Sequence, residues 1–592
     1  MLAPELQIPF VLGTILLMIV VLITDRFKAS LVFLLAATIL IIGGSISLGD
    51  LVGGVANPSI LTIFALILIT AAINEHFDLA RFFDGVFGQA GNQRSFILRM
   101  GISVSAVSSV MNNTPVVAMM MPYVYQWGKK HNINPSRLLL PLSYSAIVGG
   151  VITLIGTSTN LVLNGLLRDS QLPTLAFEDF LLPGLLVTIG TLLFMYLLGP
   201  SLMPDKKNIL GEFEENARRY LVETKVDGDS RLTGKSVEEA GLRNLDRVFL
   251  TEIIRHGNRI APVRPTETLR KDDILLFAGD TAATLDLIGK HEGLELSKKH
   301  KFRIADNAKI VEAIVSQNSE LERRTAKDVG FREKFDAAII GIHRQGEKIA
   351  GKIGSIPFKA GDLLLLTAGP EFYDRSHRTN DLMIINTLES KKEIPRNRVW
   401  TFLISLVVAI AFMVSGLLDL FSGLLLILLA QVLLKMINLE KIKQNISLDL
   451  LIILISSLAI GKALIDSGSA AYLTERVFNN SHTWSAMLLL VTIFLSTFVL
   501  TSLITNVAAI TIVFPIVYSL TGITDIPAQA LYLTAAFGAS CCFASPFAYQ
   551  TNLMVMEAGN YGFKDFLRLG LPVSFVYAVV FLGYVGLRYE LL

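Results

Sequence analysis

SSVMNNTPVVAMMMP (108–122) and TSLITNVAAITIVFP (501–515) are apolar stretches that each carry a polar tip in their interior. Asn112-Asn113-Thr114-Pro115 forms the first tip and Thr505-Asn506 the second, both approached through serines or threonines. Broken backbone at membrane depth must face protein or a watery cavity, so each stretch reads as a re-entrant helical hairpin rather than one crossing helix. A second break follows each tip, at Gly156-Thr157-Ser158-Thr159-Asn160 in IGTSTNLV (155–162) and at Ser545-Pro546 through Asn552, which includes the start of AYQTNLMV (548–555). Ahead of the tips, AINEHFDLARFFDGVF (72–87) parallels ALIDSGSAAYLTERVF (463–478). Three matched pairs in one order mark an internal duplication.

Outward from the tips, apolar runs lie near 7–24, 30–46, 58–74, 95–127, 138–167 and 177–200, and again near 399–418, 420–436, 447–465, 485–520, 528–556 and 569–590. Each half therefore has six hydrophobic segments. With 17% charged residues and a mean hydropathy of +0.56, the bilayer is the expected solvent. A net charge of +2 points to no nucleic-acid partner. The N-terminal run lacks a basic leader and continues into further spans, so it reads as a first transmembrane helix and not a cleaved signal. Cys541 and Cys542 are adjacent in apolar sequence and read as small core residues, with no thiol metal motif.

If each hairpin enters and leaves on one side, a half crosses the membrane an odd number of times and the second repeat is inverted. With both termini outside, Arg26, Lys28, Arg81, Arg94, Lys129, Lys130, Arg137, Lys435, Lys441, Lys443, Lys564 and Arg568 all fall inside, and little but Arg168 and Arg476 falls outside. The same assignment makes the charged stretch near 203–396 cytoplasmic, on a cell (inner) membrane protein. The expected domains are a membrane half over 1–202, soluble modules over 203–298 and 299–396, and a second membrane half over 397–592. The insert is itself duplicated, about 218–290 and 301–377, each unit reading as strand, short helix, strand, polar turn, edge, Gly/Asp turn and apolar strand of a small α+β fold. Units this short are expected to pack together or dimerise.

A broken helix frees carbonyls and amides near the bilayer centre. Hydroxyls and carboxamides beside them make an uncharged cage for a dehydrated monovalent cation, while helix N-termini hold an anion. A lone Asn-Thr in a membrane helix is more often a helix–helix hydrogen bond. Recurrence of the tip in both halves, each with its own break, favours the ion-binding reading. Lys462, ahead of Asp466, is expected to snorkel or pair locally. Met119-Met120-Met121 is expected to pack or face lipid, and Pro122 and Pro515 to be helix kinks or functional breaks.

These paired tips and breaks resemble the divalent anion:sodium symporter family, and the insert resembles two tandem TrkA-C (RCK C-terminal) domains found in one branch of it. The resemblance implies an elevator-type homodimer, with sodium as the coupling ion and sulfate or a di- or tricarboxylate as substrate. By position, it implies one sodium held by Asn113 with Ser108, Asn112, Gly156 and Asn160, and another by Asn506 with Thr501, Ile504, Ala548 and Asn552. Asn113, Thr114, Thr157, Ser158, Asn506, Val507, Tyr549 and Gln550 would line the substrate site. Asn112 and Thr505 stand where the family usually has serine, Val507 replaces threonine, and Tyr-Gln-Thr-Asn replaces the Thr-Pro-Pro-Asn usual in dicarboxylate carriers. These departures favour sulfate or a similar small oxyanion.

The insert admits a rival reading as part of a regulated cation channel or uptake subunit, but the chain has no TVGYG-like filter. An enzyme is not expected, since no metal cluster, nucleophile elbow or phosphate loop is present. The insert also lacks a Gly-x-Gly-x-x-Gly turn, so NAD is not its expected ligand. It reads either as a regulatory unit for an unknown nucleotide-like effector or as a passive dimer clamp.

Overall fold

A computed structural model describes residues 4–24, 27–76, 90–206, 221–279, 294–296, 310–385, 401–434, 448–478 and 484–591, with short gaps inside 221–279, 310–385 and 401–416. The segment 77–87, part of the first repeated pair, lies outside the described residues, as do Arg26, Arg81, Lys435, Lys441 and Lys443.

The first half runs α1 (Pro4–Ile23), α2 (Ala29–Ile42), α3 (Leu48–Val55), α4 (Pro58–His76), α5 (Gln93–Ser108), α6 (Asn113–Lys130), α7 (Leu139–Gly150), α8 (Ser158–Asp169) and α9 (Phe177–Leu197). The second runs α10 (Leu420–Leu433), α11 (Leu448–Asp466), α12 (Ser469–Phe478), α13 (Ala486–Leu503), α14 (Asn506–Thr521), α15 (Ala528–Ser540), α16 (Gln550–Ala558) and α17 (Phe563–Arg588). Six spans among the described residues are long and apolar enough to cross a bilayer. The helices α5/α6 and α13/α14 stop and restart at the two tips, and α7/α8 and α15/α16 at the two breaks. Residues near 401–416 are described only in part, so no helix is assigned to that run.

Two groups of helices emerge. In one, α5 packs on α7, α13 on α15 and α9 on α17. In the other, α11 packs on α2 and α3, and α10 on α4. Charges tie α11 to the first half at both ends: Asp449 meets Lys28 at 3.3 Å, and Lys462 meets Asp50 at 2.5 Å. Lys462 thus pairs across the halves and not with a neighbour in its own helix. An Asp50 carboxylate already oriented by the capping box of α3 is the nearer counter-charge. Met120 and Met121 are fully buried core residues, and α6 and α14 continue through Pro122 and Pro515.

The insert forms two antiparallel five-stranded sheets. The first comprises β1 (Leu221–Val226), β2 (Val248–Arg255), β3 (Asn258–Ile260), β4 (Ile274–Gly279) and β5 (Leu294–Leu296), in the order β3-β2-β4-β1-β5. The second comprises β6 (Ile310–Val315), β7 (Ala337–Arg344), β8 (Glu347–Lys348), β9 (Leu363–Ala368) and β10 (Leu382–Ile384), in the order β10-β6-β9-β7-β8. Read from the other edge this is the same topology, with a register shift at the same point of β2 and β7. Each also clamps a buried Asp with the arginine that ends its second strand, Arg255 on Asp273 and Arg344 on Asp362, which raises both guanidinium pKa values.

The short helix expected at 234–243 is a run of turns. Ser236 and Glu239 exchange capping hydrogen bonds, but Gly234 and Gly241, at φ +85° and +68°, enclose too few residues to propagate a helix. The terminal strands β5 and β10 were not expected.

The second sheet has no solvent-facing side along β9. Leu364, Leu366 and Ala368 enter the module's own core, while Leu363 and Leu365 join the apolar core of the membrane helices, together with Ile314, Ile340 and Ile385. Alternation along a strand sends successive side chains to opposite faces, so the continuous run LLLL serves two cores at once. The modules also touch each other: Arg332 donates to Leu250 O at 3.1 Å and Val263 O at 3.4 Å.

Candidate functional site

Each tip is a helix start. Thr505 caps α14 through a hydrogen bond from the Ala508 amide at 3.3 Å, and Asn112 accepts more loosely from the Thr114 amide at 3.5 Å. Thr157 and Tyr549, both extended, precede α8 and α16. Four helix N-termini are therefore brought to one place, and the side chains at them interlock across the halves. Asn113 Nδ2 donates to Tyr549 Oη at 2.8 Å and Thr114 Oγ1 to Gln550 Oε1 at 2.8 Å, joining the first tip to the second break. Asn506 Nδ2 donates to Thr159 Oγ1 at 2.8 Å, joining the second tip to the first break.

Between them lies a narrow cavity, closed down to less than the space of a water molecule, lined by Asn113, Thr157, Asn506 and Tyr549 with Ile147, Val151, Ser540 and Cys542. No lining residue carries a formal charge. Asn112, Gly156 and Ser158 instead line a neighbouring cavity of about 20 Å³ against Ile63, Leu66 and Ile67 of α4. Seven of the expected site residues thus divide between the two cavities, Thr114 and Gln550 pair with each other, and Ser108, Asn160, Thr501, Ile504, Val507, Ala548 and Asn552 line neither.

The helix C-termini supply the opposite polarity. Gly156 sits so close to Gly150 O and Ser108 O that a Cβ there would lie 2.5 and 2.9 Å from them. A Cβ on Gly150 would lie 2.7 Å from Asn113 Oδ1, which also accepts a hydrogen bond from Ser108 Oγ. Two main-chain carbonyls thus close around Gly156, and a carboxamide oxygen bonded to a hydroxyl lies against Gly150, oxygen donors of the kind suited to a hard monovalent cation. Thr501 Oγ1 donates to Ala539 O at 2.8 Å beside the second tip, and Ile504 and Ala548 are buried there. Val507 is buried in the first turn of α14 and offers an apolar side chain.

Asn160 and Asn552 brace the breaks. Asn160 Nδ2 donates to Thr153 O at 3.0 Å, and Asn552 Nδ2 to Ser545 O at 3.1 Å and Cys542 O at 2.6 Å. Thr153 in turn donates to Ser109 O and accepts from the Gly156 amide, binding the first break to its tip. Motif reading missed Ser143, whose hydroxyl reaches Thr551 Oγ1 at 2.8 Å and Asn552 Oδ1 at 2.7 Å, as well as Ser540 and Cys542. The available signal was asymmetry: aligned on the breaks, Cys541-Cys542 stand in the second half where Gly149-Gly150 stand in the first.

Spans interrupted at two matched pairs of broken helices, with a polar cavity buried between them, define a polytopic membrane transporter. The comparisons give the family. A model described as a citrate transporter matches residues 19–426 and 410–591, and the chain belongs to that family, which is related to the divalent anion:sodium symporters. The "Putative sulfur deprivation response regulator" of Chlamydomonas reinhardtii is 33% identical over 565 residues, covering 92% of this chain and 95% of that protein. An uncharacterized transporter of Synechocystis sp. is 28% identical over 593 residues, 97% of this chain and 95% of that one. Sodium/sulfate cotransporter 1 of Chlamydomonas reinhardtii is 28% identical over 357 residues, 56% of this chain and 40% of that protein.

Proposed function

We propose that the protein carries a small divalent anion, sulfate foremost, into the cell together with sodium, under the control of its cytoplasmic insert. The observation that carries this reading is the convergence of four helix N-termini on a cavity whose lining has no charged side chain. Helix N-termini and their free amides attract an anion, but a desolvated dianion needs counter-charge. Sodium in cages at Ser108, Asn113 and Gly156 and at Thr501, Asn506 and Ala548 would supply it, which makes cation and anion binding mutually dependent.

Val507 in the second tip and Tyr549-Gln550 in the second break, the departures from the dicarboxylate pattern, favour an inorganic oxyanion. The printed name of the cotransporter relative points the same way. A di- or tricarboxylate is the second reading, favoured by the neighbouring cavity behind Gly156, which would lengthen the site. Radiolabelled sulfate and citrate uptake into proteoliposomes, with and without an inward sodium gradient, tests both. We expect sulfate uptake only with sodium; sodium-independent uptake, or citrate uptake alone, would overturn the reading.

An inverted repeat working as an elevator in a homodimer accords with the two helix groups: hairpins, broken helices, α9 and α17 would move, and the remaining helices would stay. Ion pairs between the halves join residues that the charge rule puts on one side. Lys28–Asp449 and Lys206–Asp565 fall inside, at 3.3 and 2.5 Å, and Asp50–Lys462 falls outside. A cysteine replacing Lys130 should then label from the cytoplasm and one replacing Arg476 from outside; labelling of both from one face would rule out inversion.

Regulation by the insert has a structural route. Glu312 of β6 accepts a buried hydrogen bond from Tyr125 of α6 at 2.7 Å, and Gly361 abuts Leu553 of α16. These are the two helices whose N-terminal ends carry Asn113, Thr114 and Gln550. A cytosolic ligand that binds the insert more tightly in one transport state would shift that state's population through this contact.

A further inference from the structure

Many buried hydroxyls in these helices donate to a main-chain carbonyl of their own helix or of a neighbouring one. Thr497 donates to Ile493 O at 2.6 Å, Thr511 to Val507 O at 2.8 Å and Thr534 to Ala530 O at 2.7 Å. Ser540, the last residue of α15, does not. Among the described residues its buried hydroxyl has no hydrogen-bond partner, as is also true of Thr191, Ser456 and Ser457, but Ser540 alone of these lines the cavity between the tips. The backbone around it is held on each side: Thr501 donates to Ala539 O, the Cys542 thiol to Ser540 O at 3.3 Å, and Asn552 to Cys542 O. Ser540 is thus fixed in place with its one polar group uncommitted, an arrangement uncommon in protein interiors unless something else supplies the partner.

The other polar groups of the cavity show which partner. Asn113 and Asn506 each give one amide hydrogen to Tyr549 and Thr159, so one donor of each carboxamide is engaged in holding tip to break. The Asn113 carboxamide oxygen accepts from the Ser108 hydroxyl and is likewise engaged. The proton of Ser540 remains available for a cargo oxygen. We propose that Ser540 donates a hydrogen bond to the transported oxyanion and helps to set affinity for it, a contribution outside both repeated motifs. Its counterpart by alignment on the breaks is Val148, which has no hydroxyl, so the anion is held unequally by the two halves.

This inference rests on the anion reading above. Ser540→Ala should raise the sulfate KM in proteoliposomes about ten-fold or more, the scale of a lost hydrogen bond to a charged group, and leave the half-saturating sodium concentration within about two-fold. Ser540→Thr, which keeps the hydroxyl, should stay near wild type, and Ser540→Gly should repeat the alanine result if alanine packs badly. An unchanged sulfate KM in Ser540→Ala or Ser540→Gly would overturn the proposal, as would a shift in sodium dependence alone. If wild-type protein carries citrate and not sulfate, the sulfate reading falls, and the same variants are measured on citrate, where the same ten-fold shift is expected.

Discussion

Asn113→Ala and Asn506→Ala each abolish sodium-dependent uptake while the protein still folds. Both side chains are buried at helix starts, and each ties its tip to the break of the opposite half. Asn113 does more than position a helix: its carboxamide oxygen accepts from Ser108 and lies where a Gly150 side chain would intrude. Alanine removes that oxygen from the cation cage and releases Tyr549 from its partner. Leaving buried polar groups without partners costs about 1–3 kcal/mol each, so several in one site amount to a hundred-fold or greater loss. Asn506→Ala frees Thr159 and removes the carboxamide at the second tip, so one variant disables each cage. Uptake against a sodium titration, beside size-exclusion profiles in detergent, decides the matter. Unchanged sodium dependence in either variant would end the two-cage model.

Replacing residues 212–390 with a flexible linker has a larger effect than loss of regulation alone. The sequence suggests a detachable unit whose removal would spare uptake and abolish its response to cytosolic metabolites. The structure changes that expectation, because Ile314, Ile340, Leu363, Leu365 and Ile385 are part of the membrane helices' own apolar core. Deletion would expose the matching surface on α6 and α16, where burial is worth about 25 cal/mol per Å². The expected result is a protein with a lowered melting temperature and uptake reduced several-fold, with no remaining response to added metabolites. Tyr125→Phe with Glu312→Gln separates the two consequences, since it breaks the buried contact and leaves the apolar face covered. That pair should keep near-normal stability and basal uptake and alter only the response. A full-length protein whose uptake answers to no cytosolic extract would show that the insert is a clamp.

How much of this was legible follows from the range of the forces involved. The tips and breaks could be read because hydrocarbon tolerates no unpaired backbone: a polar cluster amid apolar sequence has few possible geometries. Asn113, Thr157 and Asn506 belong to the tips and breaks read on that ground, Tyr549 was named by the family resemblance, and the four line one cavity. Ser540 was not, because a serine at a helix end looks like any other until its neighbours' hydrogen bonds are known. Asn112 and Ser158 share the same motifs as Asn113 and Thr157, yet a turn of one residue sends them into the adjoining cavity.

By itself, the sequence determined the membrane solvent, the duplication, the broken helices and the two-module insert, because each is a matter of local composition and repetition along the chain. Only the tertiary structure decided that the first tip meets the second break, that Lys462 reaches Asp50, and that β6 lies against α6 and α16. Those pairings join residues far apart in the chain, and they are selected by which surfaces and charges remain unsatisfied once the local elements exist.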